Sequence, residues 1–581
     1  MESADLIKNA LTIDIPSAEH LKLDDCRRLT GPGLLWNHPG AVLDVLFFGM
    51  NPDKVSQVWH REARRVLDAI NWQQQHIIDR CFDGGINLAI SAPMDQLYSA
   101  IFAAQTAWHF CASRLLNQPS GEFEGMINEL KVIMMREANP ALINIINAAV
   151  EHDIDVLSDD DKLSLGHGIG SQTWPITKIP KPEEINWKLL HNIPVSLITG
   201  TNGKTTTARL CCSIGSAAGF TSGLTSSEFV RVGDDILDYG DYSGPGGARM
   251  LLRDPRLEVA YLEVARGGIL RRGLPLRQSR VALVTNVSSD HLGKYGVNTI
   301  KDLAETKFAV QRTLAADGIL VLNADDNIVV AEAARIKATI CWFSLNANSC
   351  QIKNAKNQKL TCAWLENYNL MYFDGKRSEI IIDVKDIPLT MAGVARFNIH
   401  NALAALCLSR AIGLNNEAIK NGLSSFKSNY EDNPGRCNEF SVKGARVFVD
   451  FAHNAHSISA VTEAFATIPA KKRFVMIGIG GDRSDHDIRE ATKSALRLKP
   501  DFLVAVEMSQ HLRGREFGDV SRIITEQCYS SGLKSQQILS AASPTKGTSL
   551  ILQQLQPDDF ALLLVLSERD QVFKLLEQSA R

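Results

Sequence analysis

A glycine-containing turn at residues 200–206 has the residue types and spacing that point most directly to chemistry. An apolar run, VSLIT, leads into the turn GTNGKTT, and a helical pattern follows it. Glycines allow backbone N–H groups to wrap around a phosphate chain, and the first turn of a helix adds partial positive charge. Lys204 would neutralise phosphate oxygens, and the hydroxyl of Thr205 would ligate Mg²⁺. We therefore predict a phosphate-binding loop made of Gly200, Thr201, Asn202, Gly203, Lys204, Thr205 and Thr206.

The spacing makes this loop a short variant, because two residues separate its glycines whereas the general pattern has four. The alternative is a strand–helix turn with an unrelated lysine. The strand before it, the helix after it and the run of threonines disfavour that alternative. A phosphate loop does not by itself identify a reaction, since motors, switches, kinases and ligases share it.

An acid and a histidine close two apolar runs downstream of the loop. Glu263 ends the run VAYLE, and His291 follows the run VALVTNVSSD. A polar side chain at the carboxyl end of a parallel strand points into the crevice where α/β proteins bind ligands. Mg²⁺ prefers oxygen ligands, so a histidine beside it is less usual, although the two residues can share a second metal site. The alternatives are a surface acid at Glu263 and a loop histidine that pairs with Asp290.

Three arginines and one lysine complete the set of candidate residues. Arg266, Arg271 and Arg272 stand among glycines, where guanidinium groups suit carboxylate or phosphate binding. The alternative is a solvated basic loop. Lys307 lies in a helical pattern, and its position alone predicts an ordinary exposed lysine.

Apolar runs that alternate with helical patterns predict a mostly parallel α/β sheet around these residues. The predicted strands of the central block are residues 195–199, 259–263, 281–286, 319–323 and 338–343, followed by a hairpin of 370–373 and 380–384 with Asp374-Gly375 at its turn. A third block repeats the alternation, with strands at residues 447–451, 474–479, 502–506 and 560–566. It predicts a second, smaller α/β domain.

The first block is predicted to contain long helices, at residues 83–111 and 123–149. The polar, proline-bearing stretch at residues 158–192 is predicted to be a linker or a surface crossing. We therefore expect three domains, at residues 1–165, 166–426 and 427–581. The fold class is α/β, with an N-terminal α+β domain in front of the two sheet domains.

Composition excludes several classes of function. The chain is 45% hydrophobic and 22% charged with a formal net charge of −3, and it shows no basic stripe or polybasic block. We expect neither nucleic acid nor a membrane as a partner. The eleven cysteines are scattered, which fits reduced thiols and, with no signal-peptide pattern at the N-terminus, a cytoplasmic location. The aliphatic run at residues 561–566 is too short to span a bilayer and is predicted to be a buried strand.

An ordered series of motifs resembles the ATP-dependent Mur ligases. The series is GTNGKTTT, Glu263, NVSSDHLG, Lys307, NADD, RFNIHNALAAL, GR and DFAHN. The segments DYSGPGGARMLLRDPRLEVAYLEVARGGILRRGL, GDRSDHDIRE and LRGREFGD are similar to the Mur-like half of cyanophycin synthetases. RRLTGPGLLW and ISAPMDQLYSAIFAAQTAW resemble the N-terminal domain of the same enzymes.

The sequence departs from cyanophycin synthetases in three places. Those enzymes carry an ATP-grasp module between the N-terminal domain and the Mur-like half, whereas this interval is only some thirty residues here. Val264 stands where that family usually has Thr, and Gly246-Gly247 replace a bulkier pair. We therefore do not expect a complete two-site cyanophycin synthetase, and we expect that the amino-acid substrates can differ.

The resemblance implies a P-loop central domain with a parallel sheet, a Rossmann-like C-terminal domain, and specific roles for individual residues. Lys204 and Thr205 would hold the phosphates of ATP and Mg²⁺, and Glu263 and His291 would ligate the metal. Lys307 resembles a lysine that is carbamylated in many Mur ligases. The remaining assignments are Asn398 and Asn401 at the adenine, Arg436 and Asp450 at the nucleotide, Arg266, Arg271 and Asn454 at the substrates, and His453 beside the reacting centre or in a structural role.

The resemblance also implies a reaction, its substrates and its partners. An acceptor carboxylate, on a peptide or an amino-acid polymer, would become an acyl phosphate and react with the amine of an amino acid. A cell-wall precursor ligase or a folylpolyglutamate-type ligase is the first alternative, which the N-terminal block disfavours. A non-catalytic ATP-binding partner of a separate ATP-grasp ligase is the second, and a catalytic chain could also work beside such a partner. We expect a homo-oligomer.

Overall fold

The computed structural model describes residues 4–290 and 292–580, which fall into two compact units. The first unit comprises residues 1–343, 348–362 and 404–418, and the second comprises residues 344–347, 363–403 and 419–581. The predicted phosphate loop belongs to the first unit. The division into three domains stays a prediction.

The first unit begins with a four-stranded antiparallel sheet in the order β1-β2-β4-β3, packed against helices. Alternate residues of its central strands, such as Leu43 and Leu88, are fully buried in a core with Trp59 and Trp108. The elements of this region are α1 (Ala4–Lys8), β1 (Leu21–Leu29), β2 (Gly40–Phe47), α2 (Pro52–Ala69), β3 (Ile77–Phe82), β4 (Gly85–Ser91), α3 (Leu97–Leu116), α4 (Phe123–Glu137) and α5 (Pro140–Glu151).

Two helix predictions in this region are wrong in part. Residues 83–111 do not form one helix, because the first third is the turn into β4 and β4 itself, and α3 begins only at Leu97. Ile86, Leu88 and Ile90 alternate along β4 toward the buried core, and Pro93 stands before α3. Residues 123–149 form two helices, since α5 starts at Pro140 and the Asn139 side chain caps its first turn.

The predicted linker at residues 158–192 contains packed structure. Its strands belong to a small antiparallel sheet of β5 (Val156–Ser158), β6 (Lys162–Leu165) and β7 (Gln172–Pro175). Leu163 and Leu165 are fully buried against Ile145 of α5. The prolines and polar residues suggested a surface crossing, but the alternating apolar residues of β6 bury enough surface to hold a small core.

The rest of the first unit is built on a sheet whose strands run in the order β11-β10-β9-β12-β8-β13-β14-β15. The six strands from β9 to β15 in this order are parallel, β10 is antiparallel to β9, and β11 is antiparallel to β10. The elements are β8 (Val195–Thr199), α6 (Lys204–Ala217), β9 (Ser222–Thr225), β10 (Phe229–Val232), β11 (Asp235–Tyr239), α7 (Pro245–Leu252), β12 (Val259–Glu263), α8 (Arg266–Arg272), β13 (Ser279–Val284), α9 (Ile300–Phe308), β14 (Leu314–Asn323), α10 (Asn327–Ala333), β15 (Thr339–Ser344) and α11 (Cys350–Asn357).

The register of this sheet brings three strand ends together. Glu263 at the end of β12 lies opposite Ile198 of β8, and Val284 at the end of β13 lies opposite Thr199. The segments that follow β8, β12 and β13 therefore leave the sheet side by side. This is the edge at which parallel α/β sheets place their ligands.

The second unit contains a hairpin and a six-stranded sheet in the order β19-β20-β24-β21-β22-β23. Asp374 accepts the backbone N–H groups of Lys376 and Arg377 at the predicted hairpin turn. The elements are β17 (Asn369–Phe373), β18 (Ser378–Asp383), β19 (Asn438–Val442), β20 (Ala445–Asp450), α14 (Ala455–Ala466), β21 (Arg473–Ile477), α15 (Asp485–Leu496), β22 (Phe502–Val506), α16 (Asp519–Ser530), β23 (Ile538–Ala541), α17 (Pro544–Gln554), β24 (Phe560–Leu564) and α18 (Arg569–Ala580), while β16 (Cys362–Glu366), α12 (Arg396–Ala411) and α13 (Asn416–Ser425) have residues in both units.

The predicted α/β class is confirmed, and each strand predicted for the two later blocks is present within a few residues of its expected bounds. Residues 561–566 overlap the fully buried strand β24, as predicted. In the part of the chain that the structure describes, no helix combines the length and the apolar character that crossing a membrane requires. The eleven cysteines carry free thiols.

Candidate nucleotide-binding site

The loop between β8 and α6 adopts a conformation that only glycine tolerates at two positions. Gly200 has a φ of +145°, and a Cβ atom there would lie 1.8 Å from Oγ1 of Thr285. Gly203 has a φ of +86° and directly precedes the first helical residue, Lys204. The left-handed backbone and the close approach explain why both positions are glycine. A helix leaves its first backbone N–H groups without partners inside the helix, so the start of α6 is where the predicted phosphate contact would form.

The end of β13 holds this loop from the side. The Asn286 side chain accepts the backbone N–H of Asn202 at 2.9 Å and donates to the carbonyl of the same residue at 3.0 Å. Thr285 donates its hydroxyl to that carbonyl at 2.6 Å. Sequence reasoning did not assign Thr285 or Asn286 to the site. Their position directly after a predicted strand, in the motif that contains His291, was the signal available.

Lys204 and Thr205 point to different partners. The ammonium group of Lys204 donates to the carbonyls of Gly200 and Thr201, at 3.1 Å and 3.0 Å. The hydroxyl of Thr205 donates to the Glu263 carboxylate at 2.8 Å, and both side chains are buried. A buried hydroxyl and a buried carboxylate beside a phosphate loop form an oxygen donor set of the kind that Mg²⁺ prefers.

Lys307 is buried, contrary to the exposed position that its helical pattern alone suggested. Its side chain is 4% exposed at the end of α9. Burial is the largest cause that lowers the pKa of Lys307 to about 7, and the positive charges of Lys204 and Arg266 act in the same direction while Asp290 acts in the opposite one. Lys307 is therefore within electrostatic reach of Lys204 of the phosphate loop.

Two other predicted site residues of the first unit, His291 and Arg271, are not placed in a buried site by the structure. His291 lies outside the described residues, so its metal role stays a prediction. Arg271 is exposed, and its Nε donates to the carbonyl of Gly267 within its own helix at 3.2 Å. In residues 4–290 and 292–580 no group of three or more His, Cys, Asp or Glu side chains could hold a metal ion.

A small pocket lies beside Glu263. Its wall includes Ser243 and Gly244 at the start of α7 and Gly268 of α8. A Cβ atom on Gly268 would lie 3.1 Å from the Cα of Gly244, so the two helices approach closely here. At Gly247 a Cβ atom would lie 2.4 Å from the carbonyl oxygen of Tyr242, which excludes the bulkier residue expected at that position.

In the second unit, Asp450 is the centre of a buried group. Its carboxylate accepts the backbone N–H groups of Cys437 at 2.9 Å and Ala452 at 2.7 Å. Burial raises the pKa of Asp450, and the positive charge of Arg436 acts in the opposite direction. The Arg436 guanidinium lies 4.7 Å from the centre of the Phe451 ring. Arg436 and Asp450 thus interact electrostatically, and their contact with a nucleotide stays a prediction.

The remaining predicted residues of this unit have clear local contacts. His453 Nδ1 lies 3.1 Å from the carbonyl of Phe451. Asn454 accepts the N–H of Ser457 at 2.9 Å and caps α14, which is a structural role. Asn401 donates to Asn398 at 3.0 Å, and Asn398 donates to the carbonyl of Leu389 at 2.9 Å, so these two asparagines form one buried pair.

Comparison with known proteins gives matches over the same regions. Residues 198–409 match the Mur ligase middle domain, and residues 435–565 match the Mur ligase glutamate ligase domain. The chain is 38% identical over 343 residues to the cyanophycin synthetase of Crocosphaera subtropica, covering 59% of this chain and 39% of that protein. It is 30% identical over 312 residues to the UDP-N-acetylmuramoylalanine–D-glutamate ligase of Chlorobium phaeobacteroides, covering 53% of this chain and 61% of that protein.

The fold has a similar solved structure. Escherichia coli FolC, solved in complex with DHPP and ADP, aligns with a TM-score of 0.50 at 19% identity over 66% of this chain and 89% of FolC. The chain spans about two-fifths of the length of the cyanophycin synthetases that it matches, and 37% in the case of Nostoc sp.. Through its middle and glutamate ligase domains, the chain belongs to the Mur ligase family.

Proposed function

We propose that the chain is an ATP-dependent carboxylate–amine ligase that joins a carboxylate of a peptide-like or amino-acid-polymer acceptor to the amine of an amino acid. The observation that carries the proposal is the grouping of Lys204, the Thr205–Glu263 pair and the buried Lys307 around one glycine loop. The similarity to cyanophycin synthetases and to a D-glutamate ligase supports the same reaction class.

In the first proposed step, an acceptor carboxylate oxygen bonds to the γ-phosphorus of ATP, the bond from that phosphorus to the β–γ bridging oxygen breaks, and ADP leaves. Lys204 and the backbone N–H groups of residues 200–206 stabilise the charge on the transferring phosphoryl group. Thr205 and Glu263 would hold Mg²⁺, which neutralises part of that charge. In the second step, the amine bonds to the acyl carbon, loses a proton, and displaces phosphate to leave an amide.

Lys307 is proposed to act as a carbamate. A neutral lysine amine forms an N–C bond to CO₂ and releases a proton. Burial favours the neutral amine, and the positive charges of Lys204 and Arg266 favour both the neutral amine and the resulting carbamate anion. We expect a mass increase equal to one CO₂ on the intact chain in bicarbonate, lost after mild acidification. Native mass spectrometry that detects no adduct in the wild type, or the same adduct in Lys307→Met, would contradict this assignment.

For the second unit we propose contacts with the nucleotide and the substrates. Asn398 and Asn401 would contact the adenine, and Arg436 and Asp450 the rest of the nucleotide. His453 and Asn454 would lie near the reacting centre, and Arg266 and Arg271 of the first unit would bind substrate carboxylates. We also propose that the chain forms a homo-oligomer and that it can work beside a separate ATP-grasp ligase.

The proposal is tested by measuring phosphate release from ATP with pools of amino acids and carboxylate acceptors. We expect release to require one acceptor and one amino acid together, and the product mass to equal their sum minus water. ATP turnover without any coupled product across a broad screen would contradict the proposal. Calorimetric binding of a UDP-sugar peptide would instead favour a cell-wall precursor ligase.

Replacing Glu263 by glutamine is expected to raise the Mg²⁺ concentration needed for half-maximal activity by about 10-fold or more and to lower kcat by about 100-fold. The amide keeps the size of the side chain and can still contact Thr205, but it removes the negative charge. Magnesium titrations of the two proteins measure this change. The matched control is Glu258→Gln. Glu258 directly precedes β12, and its carboxylate accepts the N–H of Thr221, so this substitution should leave the magnesium titration unchanged.

A further inference from the structure

We propose that the β3–β4 hairpin of the N-terminal sheet positions residues 295–307, and that Arg80 is the positioning residue for Lys307. This inference rests on the proposed ligase function, in which Lys307 takes part. It concerns a region of the chain, residues 77–91, that lies before both matched Mur ligase domains. The N-terminal sheet would thus set the geometry of the loop and helix α9 that follow β13 and carry Lys307.

Gly296 packs directly against the β3–β4 hairpin. This glycine has a φ of +71°, and a Cβ atom there would lie 2.5 Å from the Phe82 ring and 2.9 Å from Oδ1 of Asn87. Arg80 donates to the carbonyl of Gly296 at 3.0 Å. Only a residue without a side chain can pack this closely on β3 and β4, so the loop has one position on the hairpin.

The residues beside Gly296 are held by the same sheet. The Arg27 guanidinium of β1 lies 4.7 Å from the centre of the Tyr295 ring. Asn298 donates its side-chain N–H to the carbonyl of Asp83, in the hairpin turn, at 2.6 Å. Arg27 is itself fixed by a buried ion pair with Asp44, so this contact does not come from a mobile surface side chain.

Arg80 also holds the helix that carries Lys307. Its Nη2 donates to the carboxylates of Asp302 and Glu305 of α9, the second at 3.2 Å. Asp302 in turn accepts the N–H of Thr299 at 2.9 Å and so fixes the start of the helix. Glu305 stands two residues before Lys307. Its carboxylate also lies 3.6 Å from the guanidinium of Arg335. One guanidinium therefore connects the loop, the first turn of α9 and its last turn.

Burial makes this connection stiff. The Arg80 side chain is 16% exposed, and a forked guanidinium that donates to two carboxylates and a carbonyl has little freedom to rearrange. Without it, two partly buried carboxylates of α9 would lose their main cation, and the helix would shift or loosen. Displacing a reacting or supporting group by about 1 Å can lower a rate by about 100-fold.

Arg28 offers a matched control on the same sheet. It is 19% exposed and makes a bidentate ion pair with Asp160, at 3.0 Å and 3.1 Å. This pair joins β1 to the small sheet that follows α5, and its hydrogen bonds do not involve residues 295–307. A general loosening of the N-terminal sheet would follow from either substitution, whereas loss of positioning should follow only from the change at Arg80.

The test compares full-length Arg80→Met, Arg80→Lys and Arg28→Met with the wild type by hydrogen exchange and by steady-state kinetics. For Arg80→Met we expect faster exchange in residues 295–308 but not in α6, an unchanged dissociation constant for ATP, and kcat lowered by about 10- to 100-fold. Arg80→Lys should recover part of kcat, because lysine can still reach one carboxylate. Arg28→Met should resemble the wild type in both measurements.

Equal exchange in residues 295–308 for Arg80→Met and the wild type would overturn the inference, as would equal losses of kcat in Arg80→Met and Arg28→Met. If Arg80→Met does not fold, Glu305→Gln removes one of its partners and should show the same pattern with a smaller loss, of about 3- to 10-fold. The exchange measurement needs no substrate. It therefore decides the positioning role even if the wild type shows no ligase activity, an outcome that would count against the proposed function alone.

Discussion

Lys204→Met is expected to lower coupled ATP consumption by about 1,000-fold. The ammonium group is the only side-chain cation within the glycine loop, and it now donates to the carbonyls of Gly200 and Thr201. A bound triphosphate would draw it away from these carbonyls onto phosphate oxygens. Methionine retains the length and much of the packing of lysine, so the variant removes the charge and leaves the α6 helix intact.

The measurement is phosphate release under conditions that give coupled product with the wild type, together with calorimetry of ATP binding. Lys188→Met, on an exposed position of the connecting segment, is the control for loss of one positive charge and should keep full activity. Coupled turnover by Lys204→Met within 10-fold of the wild type would place the phosphate site elsewhere.

Lys307→Met is expected to act in opposite directions on activity and stability. Without the amine, no carbamate can form, and we expect kcat to fall by about 100-fold or more. The same substitution removes an ionisable group from a buried position beside Lys204 and Arg266. At neutral pH in CO₂-free buffer the free energy of unfolding should therefore rise, by an amount on the order of 1.4 kcal/mol for each unit of the pKa depression that is relieved.

The pH dependence of this difference has a definite sign. The pKa of Lys307 falls from its ordinary value of 10.5 to about 7 in the folded chain, so the unfolded chain binds more protons between these two values. The free energy of unfolding is therefore highest above pH 10.5, where the amine is neutral in both states, and it decreases as the pH falls toward 7. Relative to Lys307→Met, the wild type should lose stability from pH 9 to pH 7.

Urea unfolding of both proteins at the two pH values measures that change. Thr306→Ser, a conservative change of a buried neighbour whose hydroxyl donates to the carbonyl of Asp302, serves as the control and should show no pH-dependent difference. A Lys307→Met variant that is less stable than the wild type at pH 7, with full activity, would show that the lysine is a structural residue.

The parts of the fold that sequence reasoning predicted well are those with a strong local signal. The strands β8, β12 and β22 have the predicted bounds, since each is a short and mostly apolar run of five residues. The glycine loop was also recognisable, because both glycines have a local reason: Gly200 and Gly203 have positive φ, and Gly200 also approaches Thr285 closely.

Features that depend on packing between distant segments were not predictable. Lys307 has the sequence context of an exposed helical lysine and is buried in the fold, where α9 packs against α8 and α10. The hydrogen bond between Asn286 and Asn202 joins residues that are 84 positions apart in the sequence. The contact between Arg80 and Asp302 joins residues that are 222 positions apart. Residues 85–91 contain apolar residues that fit either a strand or a helix, and only pairing with β2 and β3 decides between them.

An isotope-transfer experiment tests the proposed acyl phosphate most directly. An acceptor in which both oxygens of the reacting carboxylate are a heavy isotope is incubated with ATP, Mg²⁺ and the amino acid, and the released phosphate is analysed by mass spectrometry. Because the carboxylate oxygen that bonds to the γ-phosphorus leaves with it, each phosphate released with an amide product should contain one labelled oxygen. Unlabelled phosphate accompanying the amide product would contradict the account.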